Sequence, residues 1–517
     1  MPSEPRTPYP AFKFLPLATF ALLLLLIPNP ALGAISSEHT SVLPEETSNP
    51  MVFGVPISRH TSSSSEVGRH GYHPPEPHVY RPPQAPLDVQ TYPVAPFGLE
   101  LEQVHVYVRH GERTPVGIRL SHPPASIPEH WMMCKTARQF HTAVSGLTAE
   151  GEQDGFLRTR KVVERADGTV AEGECLLGEL TDVGRQSTFN LGRSLRKLYV
   201  DKLGFLSDTL CRKEEVYFRS TNMPRTIESL QQIVHGLYPT EKCGCGEDVI
   251  PNILVRNGKD ENMLGNTYAC KRLEILQLGF AKAAATAYNP SLEHLDKRLS
   301  RYLDGNPIRV DGKPRASGIM DTVRAAIAHG IKVPPEFEDK AIVDVIERAV
   351  VNEWFAGCKI ISYKTEEVRR LGMGRLLDDM TRKMQHKIDR GTKDPLKILV
   401  HSTHDTALAG LCSTLDVFDE QWPPFTASIT FELFKKPDSE GDSPAHQSIL
   451  SGFRKPIAEH FIRMRYQNTS MALPICAEKG NHLPGFPEFC TLTAFRNRVR
   501  ELTPTDFEGE CMPAGKS

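Results

Sequence analysis

Apolar positions along this chain recur with two different periods, and the period indicates the element. From Leu101 to Val108 the alternation places Val104, Val106 and Val108 on one face, which predicts a strand running straight into the turn Arg109 to Pro115. The same form recurs twice more. Glu214 to Phe218 predicts a strand and Arg219 to Met223 a turn, after which Pro224 opens a helix carrying Ile227, Leu230, Val234 and Leu237 on one side. Lys397 to Val400 predicts a buried strand, His401 to Asp405 a polar turn, and Leu408, Leu411 and Leu415 an apolar helix. Three strand-turn-helix units imply an α/β sheet. Between the second and third units a helical period prevails: Ile342, Val345, Ile346 and Ala349 follow it, and Leu377, Met380, Met384 and Ile388 nearly do. A mainly helical cap over the sheet is therefore expected, formed by roughly residues 117–178 and 252–390.

The first 96 residues have a different character. Phe14 to Ile27 is apolar, follows Arg6 and Lys13, and is short of the roughly 20 residues that span a bilayer. Ala31-Leu32-Gly33 then offers a small-residue cleavage site, so residues 1–33 are expected to be a signal peptide or an N-terminal membrane anchor. Residues 34–96 hold 11 of the 41 prolines and a serine run at Ser62 to Ser65, without periodicity. They are expected to form a Pro/Ser/His-rich disordered linker. The folded body is expected over 97–517, and no segment within it is apolar enough to cross a membrane.

Composition narrows the partners. Of 517 residues, 39% are hydrophobic, and 61 basic residues stand against 63 acidic ones, so a large buried core is expected and a nucleic-acid coat is not. Behind a secretory leader some of the 11 cysteines should pair as disulfides, and the odd number leaves at least one unpaired. Cys243-Gly-Cys245 lacks the four-ligand spacing of a zinc site. One glycosylation sequon, Asn468-Thr469-Ser470, is present. The secretory pathway (secreted, vacuolar or membrane-anchored) is the expected location.

In open α/β sheets the site lies beyond the carboxyl ends of the strands, where the three turns would converge. They would bring Arg109, His110 and Arg113 together with Arg219, Arg225, His401, His404 and Asp405. Guanidinium groups match phosphate oxygens bidentately and stay charged at any working pH. A neutral His110 imidazole can attack phosphorus and form a phosphohistidine. Arg109, Arg113, Arg225 and a protonated His404 would balance the charge, and Asp405 would protonate the leaving oxygen and later deprotonate water. No metal or other cofactor is needed for this charge balance. Asp405 opens a helix, which lowers a carboxyl pKa, so turnover is expected to peak on the acidic side of neutrality. His401 is expected to support the site from the strand end, and Glu112 to act as spacing or surface charge.

Arg109 to Pro115 matches the RHGxRxP motif of the histidine acid phosphatases, and His404-Asp405 in HSTHDTAL matches that family's HD pair. Residues Leu99 to Cys511 resemble this family, including LTDVG at Leu180 to Gly184 and WPPF at Trp422 to Phe425. YFRSTNMPRTIESL and WPPFTASITFEL are most similar to its lysophosphatidic acid phosphatase type 6 branch. The resemblance implies a phosphoglycerate-mutase-like sheet domain with an inserted helical cap and no metal. It also implies a third phosphate-binding arginine at Arg225, with Arg219 more structural. A small phosphomonoester, lysophosphatidic acid or a similar lysophospholipid, is the implied substrate; phytate, sugar phosphates and phosphoproteins are alternatives. Residence of the type 6 branch in mitochondria makes that the alternative location. The HD pair and the leader favour hydrolysis over mutase-type transfer, and the complete residue set favours an enzyme over a silent phosphate- or lipid-binding module. A second triplet, Arg69-His70-Gly71, has His73 in place of the motif's second arginine and no strand before it, so no function is expected of it.

Overall fold

The computed structural model describes residues 86–136, 139–144, 155–244, 249–355, 357, 363–437 and 459–513. The expected leader, most of the linker and the Arg69 triplet lie outside the described residues. The first strand is β1 (Glu100–Arg109), followed by α1 (Asp182–Arg196), β2 (Val216–Ser220), α2 (Pro224–Leu237) and the short β3 (Ile253–Leu254). Helices α3 (Lys271–Leu292), α4 (Ala316–Ala328), α5 (Lys340–Phe355) and α6 (Arg375–Arg390) come next. Then follow β4 (Ile398–Thr403), α7 (Asp405–Thr414), β5 (Ser428–Lys436), β6 (Glu459–Tyr466), β7 (His482–Leu483), β8 (Phe486–Thr491) and α8 (Leu492–Leu502).

Among the described residues a nine-stranded sheet runs β7-β8-β6-β5-β1-β4-β2-β3, with a short strand Thr469–Met471 on β6 off this path. The three strands legible in the sequence, β1, β4 and β2, are neighbours and parallel, while β5 joins β1 antiparallel. Parallel pairing points all three carboxyl ends the same way. Val104, Val106 and Val108 face Leu191, Leu195, Leu230 and Ile233, so α1 and α2 cover one face. Tyr107, Ile429 and Phe431 pack with Leu377, Met380, Leu408, Leu411 and Phe495 on the other.

A separate core marks the cap. Leu120, Ile127, Trp131 and Cys134 pack with Leu292, Leu299, Ile319, Val323, Ile346 and Val350. Helix α6 does not join it. Met380 and Met384 bury against the sheet beside Tyr107, so the expectation of a cap reaching residue 390 is corrected: α6 is a sheet helix. Periodicity shows that a helix has an apolar face but not which layer receives it.

Two strand ends also differ from expectation. β4 continues through His401, Ser402 and Thr403, because their backbones pair with Tyr107 to Arg109 on one side and with Arg219 and Ser220 on the other. His401 stays within the sheet by stacking on Tyr107, with ring centroids 4.5 Å apart. At the other boundary, residues 86–96 were expected in the linker but pack on the body. The Tyr92 hydroxyl donates to Glu432 Oε1 at 2.9 Å, and the Pro93 carbonyl accepts from Arg463 Nη1 at 2.7 Å. Glu432 and Arg463 form a fully buried ion pair, and such a pair needs its remaining polar atoms satisfied. The sequon residue Asn468 is engaged with the same segment, bonding the Asp88 N–H and the Pro86 carbonyl.

Disulfides Cys134–Cys175, Cys270–Cys511 and Cys476–Cys490 are present, Cys211 is also disulfide-bonded, and Cys243 and Cys412 are free. Among the described residues no helix is long and apolar enough to cross a membrane.

Candidate active site

The Arg109–Thr403 register pair at the ends of β1 and β4 sets His110 beside His404, with the His110 N–H donating to the Thr403 carbonyl at 3.0 Å. The loop after β1 then passes so close to α1 that side chains cannot fit. A Cβ on Gly111 would stand 2.3 Å from the Gly184 carbonyl oxygen, and one on Gly184 would stand 2.1 Å from that of Glu112. This contact explains the glycine of the Arg-His-Gly triplet and the glycine that closes LTDVG. Thr181 caps α1 at the same place, accepting from the Gly184 N–H, while its own N–H bonds the Glu112 carbonyl. Glu112 is not merely spacing: its carboxylate accepts from Ser187 on α1.

His110 is 1% exposed, and its Nδ1 lies 2.9 Å from the Gly111 carbonyl oxygen. A carbonyl only accepts, so Nδ1 carries the proton and Nε2 keeps its lone pair. Burial, reinforced by Arg109, Arg113, His404 and Arg225, holds the ring well below the ordinary histidine range, so it is neutral. Its ring meets that of His404 edge-on, with centroids 5.6 Å apart.

Around it stand the cations. Arg109 pairs with Asp405 Oδ2 at 2.9 Å, donates to the Pro423 carbonyl at 2.6 Å and lies over the Phe425 ring at 4.1 Å. Arg113 pairs with Asp321 of α4 at 2.9 Å. Arg225 sits in the first turn of α2, and among the described residues no carboxylate lies within ion-pair distance of it. Its Nε is buried without a hydrogen-bond partner, as are those of Arg109 and Arg113. Burying a guanidinium without a counterion is costly, and burial, with Arg113 close by, lowers the pKa of Arg225. An arriving dianion would relieve that cost.

His404 precedes α7, with Nε2 3.0 Å from the Thr221 hydroxyl, and Asp405 is the first residue of that helix. The expectation of a protonated His404 is corrected for the unliganded site. Burial and then the Arg225 charge bring its pKa to about 4 against the opposing pull of Asp405, so it is neutral above that pH. Asp405 shifts downward: burial pushes its pKa up, but Arg109, Arg113 and His404 together outweigh it. The carboxylate accepts from the Thr406 N–H at 2.8 Å and the Trp422 indole at 3.0 Å.

Of the remaining sequence-selected residues, Arg219 faces away from this pocket and pairs with Glu261 inside the fold, as a structural arginine would. His401 is a residue of β4 whose ring packs against Tyr107 and Tyr217. Among the described residues no group of three or more His, Cys, Asp or Glu side chains could hold a metal ion.

The model of the histidine phosphatase superfamily (branch 2) matches residues 100–466. The chain belongs to this superfamily. A probable acid phosphatase of Schizosaccharomyces pombe is 34% identical over 456 residues, covering 81% of this chain and 96% of that one. Human lysophosphatidic acid phosphatase type 6 is 28% identical over 349 residues, covering 66% of this chain and 76% of its own. The apo phytase of Hafnia alvei shares the fold, with a TM-score of 0.50 at 15% identity over 81% of this chain and 100% of that one. This histidine phosphatase is therefore a phosphatase enzyme with a mixed α/β sheet.

Sequence reasoning missed Asp321, which anchors Arg113 and the Val116 N–H from the cap. No local signal marks it, because its partner is 208 residues away. Trp422 and Phe425 lay within a recognised motif, but only the structure gives them contacts.

The buried histidines of this phosphatase make one outcome predictable. His105 is brought down to about 3 and His404 to about 4, chiefly by burial. The unfolded chain binds more protons than the native one between those values and the ordinary histidine pKa. Stability therefore rises with pH through that window and is lost as pH falls through it. Thermal melting of the unliganded enzyme should show Tm decreasing from about pH 6.5 toward pH 4, with inorganic phosphate opposing the fall.

Proposed function

We propose that this enzyme hydrolyses phosphomonoesters through a phosphohistidine on His110. The observation that carries the reading is the fixed tautomer of His110, whose Nε2 keeps its lone pair among Arg109, Arg113, Arg225 and His404. Nε2 attacks phosphorus, the N–P bond forms as the P–O bond to the leaving group breaks, and Asp405 donates its proton to the departing oxygen. Water then gives a proton to Asp405 and attacks phosphorus, and the N–P bond breaks to release inorganic phosphate. Arg109 is shared between Asp405 and the bound dianion, so substrate loosens the pair that keeps Asp405 ionised. This coupling supports an acidic optimum.

Lysophosphatidic acid or a similar lysophospholipid is the proposed substrate. The similarity to lysophosphatidic acid phosphatase type 6 supports it, as does an exposed apolar rim. Gly178 lies between Val116 and Arg225, and Val116, Leu176 and Leu177 are all about half exposed. The disulfides support a secretory-pathway location. The test is a panel of lysophosphatidates, phytate and p-nitrophenyl phosphate in excess EDTA. Turnover of the lysophosphatidates with higher kcat/KM than phytate is expected, and EDTA should leave the rates unchanged. Preference for phytate would overturn the lipid assignment, and loss of all activity in EDTA the metal-independent mechanism.

A further inference from the structure

The carboxyl of Asp405 is held from a direction no catalytic motif describes. Its Oδ2 accepts from Arg109 Nη2 at 2.9 Å and from the Trp422 indole Nε1 at 3.0 Å. The residue after Trp422 closes a ring, because the Pro423 carbonyl accepts from Arg109 Nη1 at 2.6 Å. Arg109, Asp405, Trp422 and Pro423 thus form one closed circuit of three polar contacts and a peptide bond.

Trp422 is itself pinned by the cap. Its backbone N–H donates to Glu347 Oε1 of α5 at 2.7 Å, and its carbonyl accepts from Arg324 Nη1 of α4 at 3.3 Å. Arg324 Nη2 and Glu347 Oε1 are paired at 2.7 Å, with both side chains partly buried. The indole also packs against Phe355 and Trp354 at the end of α5, with ring centroids 5.3 and 6.0 Å away. One ion pair between two cap helices therefore grips both backbone polar groups of a residue whose side chain ends on Asp405.

We propose that Trp422 is a positioning residue for leaving-group protonation, and that the Arg324–Glu347 pair of the cap acts through it on Asp405. The inference rests on Asp405 being the proton donor. An indole N–H donates most strongly to a carboxylate and still donates to the carbonyl oxygen of a protonated carboxyl. It therefore holds Oδ2 in both states and leaves Oδ1, which accepts from the Thr406 N–H at 2.8 Å and keeps a second lone pair, as the oxygen able to carry the transferred proton. The charged or titratable groups facing Asp405 are Arg109 from the end of β1, Arg113 from the loop after it, Arg225 from α2 and its neighbour His404, with Asp321 and Arg324 from the cap behind them. Trp422 adds an uncharged donor to these groups. Removing its N–H alters orientation without altering net charge.

The test is Trp422→Phe, which keeps an aromatic ring and deletes the donor. The expected result is a kcat for an alkyl phosphate reduced on the order of tenfold, the equivalent of one hydrogen bond to a charged group. The rate with p-nitrophenyl phosphate, whose leaving group needs little protonation, should change less than about twofold, with KM nearly constant for both. The basic limb of the kcat profile with the alkyl ester should move to higher pH, because a carboxylate that loses a donor holds its proton more tightly. Glu347→Gln, which retains an acceptor for the Trp422 N–H but breaks the ion pair, should shift the same ratio of rates in the same direction by a smaller factor. An unchanged ratio and pH profile in both variants would overturn the proposal. Should Trp422→Phe not fold, Glu347→Gln decides the matter by the same ratio. Asp405→Asn separates the two layers: if it leaves the ratio untouched, the donor assignment has failed, whereas a strong effect there with none in Trp422→Phe defeats this inference alone.

Discussion

His110→Ala should lower kcat by on the order of 10⁵-fold or more, the loss expected if the proposed covalent nucleophile is removed from an otherwise intact site. With Nδ1 held by the Gly111 carbonyl, Nε2 is the nitrogen of this ring with its lone pair available. Arg109 and Arg113 keep their partners Asp405 and Asp321 without it, and Arg225 is set by α2, so phosphate should still bind. Two measurements check this. Rapid quenching with labelled phosphomonoester should trap acid-labile, base-stable phosphate on the wild-type protein and none on the variant. Melting in inorganic phosphate should show similar stabilisation of both proteins. Label on serine or aspartate, or undiminished label in the variant, would contradict the nucleophile assignment.

Asp405→Asn has the second largest expected effect, and its size depends on the leaving group. General acid catalysis contributes roughly 10²- to 10⁴-fold, so the loss should approach that range for an alkyl phosphate. It should be far smaller for phosphorylation by p-nitrophenyl phosphate, although attack of water on the phosphohistidine still lacks its base. Intermediate should therefore accumulate, visible as a burst of p-nitrophenol followed by a slow steady state. The substitution also removes the charge that pairs with Arg109 while preserving shape and the capacity to accept from Trp422. Uniform loss across leaving groups, without a burst, would assign Asp405 to holding Arg109 rather than to proton transfer.

Much of the site was legible because its residues sit where local patterns change. His110 follows an alternating strand, Arg225 follows the proline that opens α2, and Asp405 begins an apolar helix. Each motif spans a few residues, and parallel strands bring their ends together by topology alone. Less legible was everything that depends on which layer a segment packs against. The apolar face of α6 looked the same whether it met the cap or the sheet, and the polar run His401 to Thr403 looked like a turn until two parallel neighbours paired its backbone. Tyr92 stood in a proline-rich tract, and its burial follows from the need of the Glu432–Arg463 pair for a polar cover.

Electrostatics divides in the same way. The identities of the cations and of the carboxylate Asp405 were plain in the chain, yet the protonation of His404 was not. Burial first, and then the charges of Arg225, Arg109 and Arg113, hold its pKa down, and those distances are set by contacts between elements. By itself, the sequence determined the α/β class, the three convergent turns and the residues able to carry phosphoryl chemistry, since these rest on short-range periodicity and on motifs a few residues long. Only the tertiary structure decided the neutral state of His404, the tautomer of His110, the anchoring of Arg113 by Asp321 and the grip of the cap on Asp405 through Trp422. Those features depend on distances between residues far apart in the chain, and local patterning carries no record of such distances.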